Sequence, residues 1–450
     1  MRTFPIGGIH PHDNKEWSKD KAIEVLELPD EVKLPMVQHI GAPATPVVQK
    51  GDKVLTGQIV GQSAGFVSAN IHSPISGTVV NVDMFPNGQG QRRMMVVIKR
   101  EGDEWLETID RTPDHKRECT LEPKEIIAKI KDAGIVGLGG AQFPTHVKLT
   151  IPDGHKAEIL VVNGVECEPY LTSDYRTMLE RAEMVLTGVE IVMRAIGVER
   201  AVIGVENNKP DAVKHLREVI ARDGYRGIEV MPLKMRYPQG GEKQLIAAVT
   251  GREVPPPPAL PISVGAVVCN VSTCVAIYEA VQKNKPLIER VVTVTGKHLN
   301  STHNYLARFG TPASRFFELA GIPEGDVKLL NGGPMMSRSV VDITAPLIKG
   351  CSGLTVITGA EAARGKEMSC IKCGKCVSVC PMGLEPYLLS KLAKMQKWDM
   401  AEEHNTVDCI ECGCCSYTCP SYLPLLDYIR IGKQTVSTIV RARAAANNKK

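Results

Sequence analysis

The sequence lacks any run of about 18 uninterrupted apolar residues, the length a helix needs to cross a bilayer. Its nearest approach, Ile262 to Ala280, is broken by Asn270, Ser272 and Thr273 and reads as a buried loop and helix. The opening MRTFPIGGIH has no apolar leader core, so the expectation is a chain that meets membranes only peripherally. Aromatic residues are scarce at 4%, which leaves Val, Ile, Leu, Ala and Met to build the cores. Charge of one sign is scarce as well. A net +4 over 450 residues, with no basic patch interleaved with aromatics, argues against nucleic acid as a partner. Cysteine, by contrast, is concentrated: of fourteen, nine lie between Cys370 and Cys419. Such clustering without a leader points to metal rather than disulfides. Cys119, Cys167, Cys269, Cys274 and Cys351 read as reduced thiols.

The cysteines fall into two copies of one motif. The first is Cys370-x2-Cys373-x2-Cys376-x3-Cys380-Pro381, the second Cys409-x2-Cys412-x2-Cys415-x3-Cys419-Pro420. Each matches the bacterial ferredoxin run that holds a [4Fe–4S] cluster. Three thiolates two residues apart sit on one tight loop and reach one cubane. The fourth opens the next turn, points away and serves the other cluster. The expected ligand sets are therefore Cys370, Cys373, Cys376 and Cys419 for cluster one, and Cys409, Cys412, Cys415 and Cys380 for cluster two. Zinc prefers two separated pairs of cysteines to four within eleven residues. Cys414 falls outside the spacing and reads as a packed free thiol.

A chain of 450 residues implies two to four domains. Residues 1–28 contain no long periodic run, and GGIHPHDNK (7–15) reads as irregular chain. Residues 29–105 alternate short apolar runs with turns, and KGDKV and SPISGTV resemble a lipoyl-type barrel-sandwich. The stretch GQSAGFVSANIHS has no carrier lysine, so a structural or docking role is expected. Residues 115–285 read as α/β. A helix at 122–134 is followed by strands at 157–163, 201–206 and 228–233 separated by helices, which suggests a parallel sheet. PPPPALP (255–261) reads as an extended surface connection. Residues 289–358 return to a mixed β pattern, that of a small β-grasp domain. The cysteine motifs occupy 359–436, with a helical segment between them at 385–404, and 437–450 reads as a frayed basic tail. The fold class is thus multidomain α/β and α+β: barrel-sandwich, Rossmann-like domain, β-grasp domain and two-cluster ferredoxin-like domain.

Four further pieces bear on chemistry. Gly137-Leu138-Gly139-Gly140 leads to Phe143 and Lys148. Glycines allow close approach to a phosphate or flavin and lysine supplies a point charge, although a ligand-free turn explains this piece alone. Asn163-Gly164-Val165-Glu166-Cys167-Glu168 lies just past a strand, where open α/β sheets bind ligands; a lone pair of acids there is equally a solvated loop. Gly240-Gly241-Glu242 and Cys269-Asn270-Val271-Ser272-Thr273 complete the set.

Together, and in this order, GLGGAQFPTHVK, VNGVECEPY, GGEKQL and CNVST resemble the flavoprotein subunit of respiratory NADH dehydrogenase. The closer resemblance is to the RnfC family, from the Rnf complex, an ion-translocating ferredoxin:NAD oxidoreductase, and it covers nearly the whole chain, with the same domain order. The resemblance implies that Gly137, Gly139, Gly140, Lys148, Asn163, Glu166 and Asn270 line FMN. It implies that Phe143, Glu168 and Glu242 face NADH. Leu138, Gln142, Val165 and Cys269 depart from the dehydrogenase pattern, which has Arg, Gly, Asp and Asn there. The implied function is peripheral electron transport at the cytoplasmic face of the cell membrane, between NAD(H), FMN and two [4Fe–4S] clusters. The implied partners are the membrane and iron–sulfur subunits of the complex and, indirectly, ferredoxin. The alternative is a flavin and iron–sulfur cobalamin reductase of the propanediol-utilisation type, which resembles this chain but places the barrel-sandwich late.

Overall fold

The computed structural model describes residues 1–447. Its four sheets follow the alternations in the sequence. Residues 31–102 form an antiparallel four-stranded sheet, ordered Glu31–Pro35, Arg92–Gly102, Ser76–Pro86 and Lys53–Val54, beside a three-stranded sheet of Thr45–Pro46, Ile59–Gln62 and Ile71–His72. This two-sheet arrangement is the barrel-sandwich. Its core is not separable, because Val32, Leu34, Ile71 and Ile98 belong to one apolar cluster with Ile126, Val162, Val292 and Phe316.

The central domain carries a parallel sheet ordered Ile228–Leu233, Ala201–Glu206, Ile159–Asn163 and Ala266–Asn270. Sequence reading supplies the first three strands. The fourth, AVVCN, lies inside the stretch that reads as a buried loop and helix. It is five buried residues, and the helix Val271–Lys283 follows it with no intervening turn, so no punctuation marks the change of period. Its pairing with Ile159–Asn163 reverses the direction in which strands are added. The crevice of an open α/β sheet opens at such a switch point, beyond the carboxyl ends of the strands. The helix Pro123–Asp132 starts on a proline behind Glu122, whose capping box is complete, and buries Ile126 and Ile130.

The β-grasp sheet is ordered Ile23–Val25, His303–Arg308, Glu289–Thr295, Gly353–Thr358, Val327–Asn331 and Arg338–Ser339. Its edge strand Ile23–Val25 comes from the amino-terminal segment, which also bonds to the central domain through Ile9 and Tyr237 and to the cysteine domain through Gly8 and Val379. Between the cysteine motifs lie two helices, Pro386–Lys394 and Trp398–Glu403. The segment expected to fray is helical as far as Asn447, continuing Leu425–Asn447. Arg443 ties it to Asp399 at 3.2 Å and Glu402 at 2.8 Å, and its alanines favour helix. Residues 448–450 of the expected tail lie outside the described residues.

Candidate functional site

Asn163 and Asn270 stand side by side at the carboxyl ends of the two strands that flank the switch point, paired in register. Asn270 caps the helix Val271–Lys283, its Oδ1 accepting from the backbone N–H of Ser272 at 2.9 Å and Thr273 at 3.3 Å. Its Nδ2 donates to Asp174 Oδ2 at 2.7 Å, and Ser272 Oγ donates to Asp174 Oδ1 at 2.6 Å. Asn163 Nδ2 donates to the Gly240 carbonyl at 2.9 Å. The glycine loop lies directly on this pair. A Cβ on Gly139 would stand 2.7 Å from Asn270 Nδ2, whereas one on Gly140 would meet nothing within 4 Å. Leu138 N–H donates to Thr273 Oγ1 at 2.9 Å, and Gly137 N–H to the Phe143 carbonyl at 3.0 Å. Space beside Gly139 is thus filled by protein, and that beside Gly140 is left open to the crevice.

Lys148 enters from the helix Thr145–Leu149. Its Nζ lies 3.0 Å from Glu242 Oε1 and donates to the Val268 carbonyl at 3.1 Å. The two ends of the predicted site, one assigned to flavin and one to nucleotide, therefore meet as an ion pair. Glu166 turns inward with φ +49° and accepts from the Asp174 N–H at 2.7 Å, at the start of the helix Ser173–Glu180. Burial pushes its carboxyl up to about 7, against the pull of Lys15, 3.8 Å away. Burial raises Glu168 to about 7 as well. Its two oxygens accept from the N–H groups of Met335 at 3.1 Å and Met336 at 2.7 Å, so this carboxylate joins the central domain to the β-grasp loop. Phe143 is half-buried, and its carbonyl closes the glycine turn.

Sequence reasoning missed three groups. Asp174 orients Asn270. Lys15, from the amino-terminal segment, donates to the carbonyls of Glu168 at 3.1 Å and of Leu171. Arg290, on the β-grasp strand Glu289–Thr295, is 3% exposed. Its Nη1 donates to the Leu138 carbonyl at 3.1 Å and the Lys349 carbonyl at 2.6 Å, while its Nη2 has no acceptor. A buried guanidinium with an orphaned N–H, reaching the glycine loop, is the chemistry expected beside an anionic ligand. The residues therefore fit a phosphate-bearing flavin. No local pattern announces any of the three, because each acts across a long stretch of sequence.

The cysteine motifs pack as a crossed pair. Cys380 lines one cavity with Cys409, Cys412, Cys414 and Cys415, and burial, with a smaller push from the neighbouring Cys419, raises the Cys376 thiol. Among the described residues no three thiols lie within 4.8 Å of one another. The donor set, four thiols in each Cys-x2-Cys-x2-Cys-x3-Cys run, is the chemistry that holds a cubane. Cys414 is 1% exposed and shares a small apolar cluster with Ile9, Tyr237, Cys412 and Cys167. Tyr237 Oη donates to the Cys412 carbonyl at 2.7 Å, and Gly240 N–H to Cys167 Sγ at 3.3 Å. The loop that holds Asn163 through Gly240 is thus the loop that covers the second cysteine motif. A separate cavity of about 600 Å³ is lined by Asp110, His115, Glu183, Lys283 and Glu289 and contains none of the predicted residues. Its buried charges are already paired, Glu289 with Arg308 and Lys285 and Asp110 with Lys283, so it presents no ready site for a cofactor.

Comparison with known families gives three matches. Residues 3–103 match the RnfC barrel sandwich hybrid domain, residues 130–279 the Nuo51 FMN-binding domain, and residues 369–422 the 4Fe-4S dicluster domain. Three relatives are each the C component of a redox complex. The chain is 46% identical over 427 residues to that of the proton-translocating ferredoxin:NAD(+) oxidoreductase complex of Clostridium ljungdahlii, covering 94% of this chain and 92% of that one. It is 44% identical over 434 residues to that of the Na(+)-translocating ferredoxin:NAD(+) oxidoreductase complex of Acetobacterium woodii, covering 96% of each. It is 40% identical over 396 residues to that of the ion-translocating oxidoreductase complex of Rhodobacter capsulatus, covering 87% of this chain and 75% of that one.

Proposed function

This chain belongs to the RnfC family, a component of ion-translocating ferredoxin:NAD oxidoreductase complexes, and on that footing we propose that it is the NAD(H)-linked electron-transfer subunit of such a complex. The observation that carries the reading is the shared wall between two sites. Tyr237, Gly240 and Cys167 join the switch-point crevice to the motif-two cysteines in one packed unit. Bound flavin supplies the conversion between a two-electron hydride donor and one-electron clusters.

The residues divide the work. Asn163, Asn270 and the open Gly140 edge shape the crevice, with Lys148 and Arg290 as the cations for the flavin. Glu166, held by the amide of Asp174, fixes the loop at the crevice rim. Glu242, at the exposed end of the Lys148 pair, and Phe143 are assigned to the nucleotide side. Glu168, tied to Met335 and Met336, positions the rim through the β-grasp loop. Carboxylates at that rim disfavour an extra phosphate, so NADH should be preferred to NADPH. Cys370, Cys373, Cys376 and Cys419 are assigned to one [4Fe–4S] cluster and Cys409, Cys412, Cys415 and Cys380 to the other.

Among the described residues no helix is long and apolar enough to cross a membrane. Attachment at the cytoplasmic face through the other subunits is the matching proposal. The cobalamin-reductase alternative has no support, because the barrel-sandwich match occupies residues 3–103, first in the chain. Anaerobic purification followed by iron, sulfide and FMN analysis, then an NADH titration watched by electron paramagnetic resonance, tests the proposal. Stoichiometric zinc without sulfide, or bound flavin that NADH leaves oxidised, would refute it.

A further inference from the structure

The two cysteine motifs are internal copies and align residue for residue, Cys370-Ile371-Lys372-Cys373-Gly374-Lys375-Cys376 on Cys409-Ile410-Glu411-Cys412-Gly413-Cys414-Cys415. The backbone repeats too. Lys372 and Glu411 have φ of +56° and +57°, and Gly374 and Gly413 of +74° and +81°. The surroundings do not repeat. Ile410 packs in the cluster of Ile9, Tyr237 and Met335. A Cβ on Gly413 would stand 2.6 Å from the Met335 carbonyl oxygen. Cys414 is buried, and Glu411 is paired with Arg430 and Lys433, each at 3.1 Å. The motif-one loop is bare at every equivalent place. Ile371 is 67% exposed, and a Cβ on Gly374 would meet nothing within 4 Å. Lys372 and Lys375 are exposed, and among the described residues no carboxylate answers either, Glu367 being taken by Lys394. Met368, bonded through its N–H to Ser421, and Tyr422 extend the apolar surface beside them.

We propose that this bare loop is the docking face for the next electron carrier, a protein surface that presents carboxylates around an apolar spot with a one-electron redox centre close beneath. The inference rests on the electron-transfer reading above. The covered copy shows how the fold seats a cysteine motif on a neighbour: the isoleucine in an apolar contact, the glycine against backbone, and the flanking positions enclosed. The uncovered copy offers the same isoleucine and glycine, with lysines where the covered copy has Glu411 and Cys414. Two unanswered ammonium groups select an acidic partner and steer its approach. Cys370 and Cys373, exposed beside them, bring that motif's cluster site to the contact. One electron crosses this face for each one-electron centre oxidised or reduced in the partner, the motif-one cluster site changing by the same single electron in the opposite sense. An anionic bilayer would also meet the lysines, but it accepts no electron and gives the exposed cysteines no role.

Two measurements decide it. The first is amine labelling with an acetyl ester, read by mass spectrometry, on the isolated chain and on the purified membrane complex. Lys372 and Lys375 should label about tenfold more slowly in the complex, as groups inside a protein contact do, while the exposed Lys214 reports equal reagent. Equal labelling in both states would overturn the proposal. So would protection of the isolated chain by phosphatidylglycerol vesicles, which would assign the face to lipid. The second is ferredoxin-driven NAD(+) reduction by the complex carrying Lys372→Glu and Lys375→Glu. The rate should fall about tenfold or more at low salt, with iron and sulfide contents confirming that both clusters are held. The Lys372→Gln, Lys375→Gln pair should fall less. An undiminished rate in the charge-reversed complex would overturn the proposal. If the unaltered complex fails to reduce NAD(+), the function reading fails, and the labelling result still judges the face.

Discussion

Replacing Lys15 by methionine isolates a contact that no local sequence pattern predicts. Methionine keeps most of the length of the side chain and removes its charge. The Lys15 and Glu166 side chains are 7% and 5% exposed, so water cannot take the place of the ammonium. The carbonyls of Glu168 and Leu171 lose their donor, and Glu166 loses its nearest cation. Charged hydrogen bonds contribute about 1.5–3 kcal/mol each, and breaking a buried pair costs about 3–5 kcal/mol. These overlap, so a loss of roughly 2–4 kcal/mol is expected at pH 8. The pH dependence gives the sharper test. Burial already lifts Glu166 from 4.5 to about 7, and Lys15 pulls it back, so removing the lysine lifts it further. A carboxyl raised in the folded state binds more protons there than in the unfolded chain, so stability falls as pH climbs from the unfolded value through the folded one. The variant must fall further than the parent above pH 7, and its deficit should be smaller at pH 6, where Glu166 is largely protonated in both. Thermal unfolding followed by tryptophan fluorescence suits the test, since Trp17 lies two residues away. A drop of roughly 5–10 °C at pH 8 is expected for a unit of this size, with weaker FMN retention by equilibrium dialysis. A variant that melts with the parent at pH 8, or with the same deficit at both pH values, refutes the reasoning.

Cys414→Ser should keep about eight iron atoms per chain and Cys415→Ser only about four; iron analysis after anaerobic reconstitution that gives the reverse would show the wrong thiol was assigned. Gly139→Val places a Cβ against Asn270 Nδ2 and should release FMN, at a cost of about 1 kcal/mol from the disturbed cap; flavin content equal to the parent would contradict the packing described. Lys349 is buried, donates to the carbonyls of Asn70 at 2.7 Å and Gly134 at 2.8 Å, and is lowered by burial to about 7 from 10.5. A lysine lowered in the folded state leaves the unfolded chain binding more protons between those values, so stability should rise from pH 7 to pH 10 in the parent and rise less in Lys349→Met. Parallel urea unfolding curves across that range for the two proteins would show that the amine is not titrating at the domain junction.

The legible parts of this molecule are those whose signal is local. Cysteine spacing is read within eleven residues, and the expected crossing of the fourth ligand follows from the geometry of one loop; Cys380 does share a cavity with Cys409, Cys412 and Cys415, and with Cys414 as well. Strand ends are nearly as local, which is why the position of Asn163 past a strand can be read, whereas Asn270 is named only through the resemblance carried by CNVST, because its strand escapes the sequence pattern. What is not legible is pairing at long range. Lys15 reaches the loop at 166–171, Arg290 reaches Leu138, and Glu168 turns to the amides of Met335 and Met336, and none of these contacts alters the pattern around either partner. The barrel-sandwich reads as a domain of its own, structural or docking, for the same reason. Its alternation is complete in itself, yet Lys349 ties it to the helix end at Gly134 and its core continues into the other domains. The cysteine copies bring the limit to a single residue type. Ile371 and Ile410 occupy identical places in matching local patterns, and Ile410 is covered only because residues 9, 237 and 335 converge on it. Burial there is a property of the assembled chain. The same reasoning makes Ile371 informative, since an isoleucine left open on a loop whose twin is covered marks a contact of this kind that the described residues do not make for themselves.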